Sequence, residues 1–384
     1  MFSNNRTQLN QLLKGLADSL DIPESRYEEA KDRYTAVGEW LGKEGSPLAL
    51  YMPEIYPQGS FNLGTVIKPI TDSDEYDIDL VCELAVSKQS LTQEQLKQAV
   101  GNRLKGNKDY NRMLDREEGR RCWTLHYADG TQFHIDILPA IPDEDFRRML
   151  RESQVPEAWA NTGICITDRK HANYRRVSTE WPCSNPKGYA EWFRYCMRVQ
   201  YDEQRLMLME KRHLASIDDV PYYAVKTPLQ RSVQILKRHR DIMFEHDDVD
   251  KPVSIIITTL AGRSYHNEAG LAAALDNIVN GMITILESCH GEILNPVNPK
   301  ENYADKWREH PQREAKFKKW IYQVRQDIDE ALRKRDVREL TESLMPRFGE
   351  RMMRQAASNA GIMLAVESPH VQIKNPSKPW KCNE

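Results

Sequence analysis

The chain has 384 residues, 40% of them hydrophobic and 29% charged, with a formal net charge of −3. It is long enough for two domains with real cores and too balanced in composition for a disordered chain, and it lacks the strongly basic balance of a nucleic-acid-binding protein. Its seven cysteines include no C-x-x-C pair, which excludes a disulfide framework or zinc ribbon as the organising principle and suits a reducing cytosol. With no apolar N-terminal signal and no apolar run of membrane-spanning length, a cytoplasmic protein without a membrane partner is expected.

Leu9, Leu12, Leu13, Leu16 and Leu20 recur at helical spacing, and Tyr27, Ala30, Tyr34, Val37 and Leu41 repeat the pattern. This predicts core-facing helices over residues 6–20 and 23–42. A strand is predicted over 54–58. At its end Gly59 and Ser60 open the segment FNLG, which suits one helical turn, so their backbone N–H groups would face an anion such as a phosphate.

After the polar residues 71–75 comes Tyr76-Asp77-Ile78-Asp79-Leu80-Val81. The two-residue period of a strand puts Asp77 and Asp79 on one face, with Ile78 and Leu80 on the other. Carboxylates that close repel unless a proton or a metal intervenes, and Mg2+ prefers carboxylate oxygens while keeping sites for substrate phosphates. On an exposed strand edge such a pair is merely solvated charge; beside a Gly-Ser turn it points to chemistry.

A helix follows over 91–104 (Leu96, Val100, Leu104). The run from 120 to 138 reads as a hairpin turning at Asp129-Gly130. Its return strand alternates Phe133, Ile135 and Ile137 with His134, Asp136 and Leu138, so Asp136 is an acid in mid-strand that needs a partner. From 143 to 186 the periodicity fades among Pro156, Gly163, Pro182 and Pro186, predicting an insertion or crossover. Cys165, His171, Cys183 and Cys196 are too irregularly spaced for a metal site.

From Gly188 the pattern is helical, ending in two charged helices across 310–360 whose basic clusters are interleaved with acids, as on solvated faces. Lys237 follows Leu229, Val233 and Leu236 on an inward face and would need a compensating anion, which a triphosphate would supply. Ser254 opens SIIITTLA as either a plain N-cap or a phosphate contact. Asn295-Pro296-Val297-Asn298-Pro299 reads as a turn. In the tail, Val371 and Ile373 alternate like an edge strand and Trp380 is expected to pack back onto the protein.

The sequence Gln58-Gly59-Ser60, then Asp77 and Asp79, then Asp136 on a later strand resembles the signature of the polymerase-beta-like nucleotidyltransferases. Within that superfamily the chain is similar to the bacterial cGAS/DncV-like nucleotidyltransferases, which make cyclic oligonucleotide second messengers in anti-phage defence. The segments QGSFNLGT, EYDIDLV and HIDILPAIP carry the resemblance most strongly, and WPCSNPKGYAEWF, LQRSVQILKRHRD and KPVSIIITTLA extend it.

The resemblance implies an α+β architecture. A nucleotidyltransferase lobe with a mixed β-sheet (residues 1–165) would be followed by an all-α, oligoadenylate-synthetase-like lobe with an extended tail (166–384), the active site lying in the cleft between them. It further implies that Asp77, Asp79 and Asp136 hold two Mg2+ ions, with Mn2+ able to substitute. Gln58, Gly59, Ser60, Lys237 and Ser254 would bind the nucleotide. ATP and GTP are the implied substrates, and a cyclic GMP-AMP type dinucleotide the first product to test; a transferase acting on RNA ends, a protein or a small molecule would keep the same acids. The zinc element of the DNA-sensing relative is absent from the sequence, so no obligatory nucleic acid is expected. A regulatory protein partner would engage the C-terminal tail, although Glu384 departs from the small last residue of relatives that become linked to other proteins.

Overall fold

The computed structural model describes residues 2–70, 76–127, 133–214, 216–334 and 336–362. The loop 71–75, the Asp129-Gly130 turn and the tail with Trp380 lie outside the described residues.

Two long helices open the chain, α1 (Phe2–Leu20) and α2 (Glu24–Gly42). They serve different cores: Leu12, Leu16 and Leu20 of α1 are sealed among the later helices, whereas Ala30, Val37 and Leu41 of α2 pack on the sheet. Between them, Ile22 and Tyr27 form a small cluster with Val66, so the helical pair ties the two cores together.

The sheet half of the chain runs β1 (Glu54–Pro57), α3 (Gly59–Leu63), β2 (Tyr76–Glu83), α4 (Gln93–Lys105), α5 (Lys108–Met113), β3 (Trp123–His126), β4 (Phe133–Pro142), α6 (Glu144–Glu152), α7 (Glu157–Ala160), β5 (Ile164–Ile166) and β6 (Cys183–Ser184). The order is β1-β2-β4-β5-β6, with β3 also pairing β4. β2 and β4 run parallel and the other pairings are antiparallel, which makes the sheet mixed. Strand alternation sorts its faces. Ile78, Leu80, Phe133, Ile135, Ile137 and Leu125 bury one face against α2 and α4, and α4 starts in a Thr92–Gln95 capping box. On the opposite face, Val81, Leu138, Ala140, Ile164 and Ile166 form a second, smaller apolar cluster, and the acids lie at the end of that face nearest the strand starts.

The hairpin expected over 120–138 is present as the antiparallel pair β3 and β4, and its register, which the sequence left open, pairs His126 with His134 and Thr124 with Asp136. Other expectations are corrected. Residues 143–186 contain α6, α7, β5 and β6; α6 begins where Asp143 caps the Phe146 N–H at 2.7 Å, a cap hidden by the charged surface of this amphipathic helix. The expected lobe boundary at 165/166 falls inside β5, and the sheet continues to Ser184. α1 belongs to the helical core.

The helical half consists of α8 (Pro186–Cys196), α9 (Arg198–Lys211), α10 (Pro228–Met243), α11 (Ser254–Ser264), α12 (Leu271–Ser288), the hairpin β7 (Leu294–Asn295) and β8 (Asn298–Asn302), α13 (Pro311–Arg333), α14 (Val337–Phe348) and α15 (Glu350–Asn359). The long run expected from 188 breaks at Met197, whose φ of −112° and ψ of 11° leave the helical region. The charged stretch after 310 forms three helices, divided last at Gly349 with φ +89°. Asn295 and Asn298 lie in a two-stranded hairpin, where the Asn295 side chain accepts the Val297 N–H at 2.9 Å. α10 is buried on nearly every side, which makes its polar residues informative. No helix among the described residues is long and apolar enough to cross a membrane.

Candidate active site

The parallel pairing of β2 with β4 sets Asp79 directly opposite Asp136 and Asp77 opposite His134, so the three acids share one face of the sheet. Asp77 Oδ1 lies 3.1 Å from His134 Nε2, and Asp136 Oδ1 accepts the Thr124 hydroxyl at 2.5 Å. Asp79 sits deepest: burial, then the charges of Asp136 and Asp77, push its carboxyl from 3.8 up to about 6, against the opposing pull of His134 and Lys237. Asp136 and Asp79 itself, after burial, help push the neighbouring Cys122 thiol up to about 12. The residues are placed as carboxylates short of positive charge.

The Gly-Ser segment lies against this group. β1 ends at Pro57, the Gln58 N–H donates to the Asp79 carbonyl at 2.8 Å, and Gly59 turns the chain with φ +61°. A side chain at Gly59 would collide with the Asp79 carboxylate, so glycine is required both by backbone conformation and by close approach. α3 then makes the single turn expected and ends at Gly64, φ +66°, against the Gln230 amide.

α10 clamps the chain that follows. Gln230 donates to the Leu63 carbonyl at 3.0 Å, Gln234 to Val66 at 2.7 Å, Lys237 to Thr65 at 2.9 Å, and Arg238 to Lys68. Lys237 is thus buried with a protein partner, the Thr65 carbonyl, rather than waiting on an anion alone. Burial and the nearby Arg240 charge lower its ammonium to about 7, although Asp241, Asp77 and Asp79 pull it the other way.

An open pocket of about 680 Å³ lies between these elements, and Ser60, Asp77, Lys237 and Ser254 are among its walls together with Lys68, Arg240 and Lys251. Gln58, Gly59, Asp79 and Asp136 stand outside those walls; Gln58 contributes its backbone, and its side chain makes no cap bond. Ser254 does not cap α11: Val253 occupies the cap position, and the Ser254 hydroxyl accepts from Arg240 at 2.7 Å, leaving its own proton to donate.

Sequence reasoning missed Thr124, His134 and Arg240. Arg240 had a signal, since it lies three residues after Lys237 and therefore on the same face of α10. Thr124 and His134 depended on strand register, which their sequence does not fix.

Among the described residues no three His, Cys, Asp or Glu side chains close on one point as a metal cage. The acids form instead an open row, and their chemistry fits hard divalent ions whose remaining positions are taken by phosphate oxygens. The raised Asp79 carboxyl marks the charge that such an ion would neutralise.

A mixed sheet bearing three acids beside a Gly-Ser turn, with a helical lobe clamped to it, defines a nucleotidyltransferase. Residues 53–139 match the family described as cyclic GMP-AMP synthase DncV-like, nucleotidyltransferase domain. A c-di-GMP synthase of Roseivirga ehrenbergii is 31% identical over 315 residues, covering 81% of this chain and 76% of that protein. The cyclic dinucleotide synthase CdnG of Bradyrhizobium diazoefficiens is 26% identical over 368 residues, covering 90% and 81%. The solved structure of that CdnG in complex with GTP superposes with a TM-score of 0.68 at 23% identity, over 91% of this chain and 98% of the other. Vibrio cholerae DncV with a nonhydrolysable GTP gives 0.56 at 14% identity, over 91% and 89%. The chain belongs to the DncV-like nucleotidyltransferases, the family of these cyclic dinucleotide synthases.

Proposed function

We propose that this enzyme joins nucleoside triphosphates, GTP among them, into a cyclic dinucleotide with release of pyrophosphate, and that it serves bacterial anti-phage signalling. The observation that carries the chemistry is the in-register pair Asp79 and Asp136, with Asp77 on the same face and Gly59 packed against Asp79. In this reading Asp77, Asp79 and Asp136 hold two Mg2+ ions. When bound, Mg2+ lowers the pKa of the attacking ribose hydroxyl and offsets the triphosphate charge.

The chain's own residues bind and orient. Ser60, Lys237, Arg240 and Ser254 line the pocket and would anchor phosphate oxygens, supplying position and positive charge rather than covalent chemistry. Gln58 and Gly59 hold the Gly-Ser segment against Asp79 through their backbone. A second transfer in the same cleft, after the linear product turns round, would close the ring. The name of the relative at 31% identity favours a di-GMP product, whereas the resemblance noted in the sequence favours GMP-AMP; both require GTP.

The test is incubation of the purified enzyme with each radiolabelled triphosphate, alone and in pairs, with Mg2+ or Mn2+, followed by phosphatase. Phosphatase-resistant label from GTP alone supports the di-GMP product, and resistant label requiring both GTP and ATP supports the mixed one. Label that remains wholly phosphatase-sensitive in every mixture refutes cyclic dinucleotide synthesis.

A further inference from the structure

The third acid is held by a hydroxyl from a strand that carries no acid of its own. Thr124 on β3 lies directly opposite Asp136 on β4, and its Oγ1 donates to Asp136 Oδ1 at 2.5 Å, at the short end of O–H···O hydrogen bonds. Side chains directly opposite on antiparallel strands stand about 5 Å apart at Cβ, which lets a residue as short as threonine reach across. Its β-branch restricts χ1, so little freedom is lost in fixing the hydroxyl.

We propose that Thr124 is a positioning residue for the metal site: it fixes the Asp136 carboxylate rotamer through Oδ1 and leaves Oδ2 directed to a divalent cation. The inference rests on Asp136 being a metal ligand, as in the proposed function. Three features support a dedicated role. The bond is made to the acid that faces Asp79 across the β2–β4 pairing. Asp77 has its contact with His134, and among the described residues the side-chain hydrogen bond of Asp136 is the one from Thr124. The neighbours of Thr124 in β3, Trp123 and Leu125, are buried in the sheet core, which anchors the strand from which the hydroxyl reaches. Hydrogen-bond partners of metal ligands set ligand orientation, and their loss typically costs about 10–100-fold in metal affinity.

The experiment uses Thr124→Val, which keeps shape and strand propensity but removes the hydroxyl, and Thr124→Ser, which restores it. Mn2+ is titrated into each full-length, nucleotide-free protein and the free ion is followed by its paramagnetic resonance signal. The Mg2+ concentration for half-maximal turnover and the melting temperature are measured alongside. Thr124→Val is expected to weaken Mn2+ binding about tenfold and to raise the Mg2+ requirement in parallel, with an unchanged melting temperature; Thr124→Ser should recover most of the affinity. Asp136→Asn is the control. If Asp136→Asn loses Mn2+ while Thr124→Val binds it like the wild type, the positioning role is overturned and the metal site stands. If Asp136→Asn itself binds Mn2+ like the wild type, the metal site falls, and the role of Thr124 falls with it.

Discussion

The ammonium of Lys237 donates to the carbonyl of Thr65 at 2.9 Å, so one buried cation both fastens α10 to the chain behind the Gly-Ser helix and lines the pocket in front of it. Its ammonium is lowered to about 7, first by burial and then by Arg240. A triphosphate placed beside it would stabilise the charged form and raise that value. Nucleotide binding should therefore take up a proton above neutrality, and affinity should fall as pH rises from about 7 to 9. Calorimetry at pH 8 in two buffers of different ionisation enthalpy measures the uptake: the wild type should take up a substantial fraction of one proton, and Lys237→Met none. A wild type that binds nucleotide without proton uptake would remove Lys237 from the phosphate site.

Asp79 gives a prediction about stability rather than binding, with the same direction in pH. Its carboxyl is raised from 3.8 to about 6, so between those values the folded protein binds more protons than the unfolded chain, and stability contributed by this group falls as pH rises through the window. Above it the ionised carboxylate costs the metal-free fold roughly 3 kcal/mol at most. Asp79→Asn should therefore raise the melting temperature in EDTA at pH 7.5, with the gain shrinking as pH falls toward 4. An equal effect at both pH values would mean that the carboxylate is not under electrostatic strain.

Gly59 couples backbone geometry to the same acid. Gly59→Ala must hold a side chain at φ +61° and press it on the Asp79 carboxylate. The conformation alone costs roughly 1–2 kcal/mol, and displacing Asp79 should lower turnover by about tenfold or more. Denaturant midpoints and turnover check the two effects separately. Full activity in Gly59→Ala would show that the close approach is not required.

The features that were legible in the sequence are those fixed by local pattern. Asp77 and Asp79 follow from strand alternation, α3 from its Gly-Ser start and Gly64 end, and the leucines of α1 from helical spacing. What was not legible depended on long-range register or on a partner distant in sequence. The Asp79–Asp136 pairing, the Thr124 contact and the Thr65 carbonyl under Lys237 join residues 57, 12 and 172 positions apart, and periodicity carries no such information. Of the two roles open for Ser254, the cap falls to Val253, because the Ser254 hydroxyl instead accepts from the Arg240 guanidinium, 14 residues away. The helices of 143–186 were hidden because α6 carries six charged residues in nine, with Phe146 and Leu150 its buried contacts.

The central claim is that Asp77, Asp79 and Asp136 form the catalytic set of a cyclic dinucleotide synthase. Asp77→Asn, Asp79→Asn and Asp136→Asn keep side-chain shape and should keep the fold. The most direct measurement is mass spectrometry of the products formed from GTP, with and without ATP, in Mg2+ by the wild type and each variant, alongside circular dichroism. The account predicts a cyclic dinucleotide and pyrophosphate from the wild type and, from each folded variant, a product yield lower by about 100-fold or more, because an under-coordinated metal loses its hold on the reacting oxygens. Wild-type yield from any one of the three variants would contradict it.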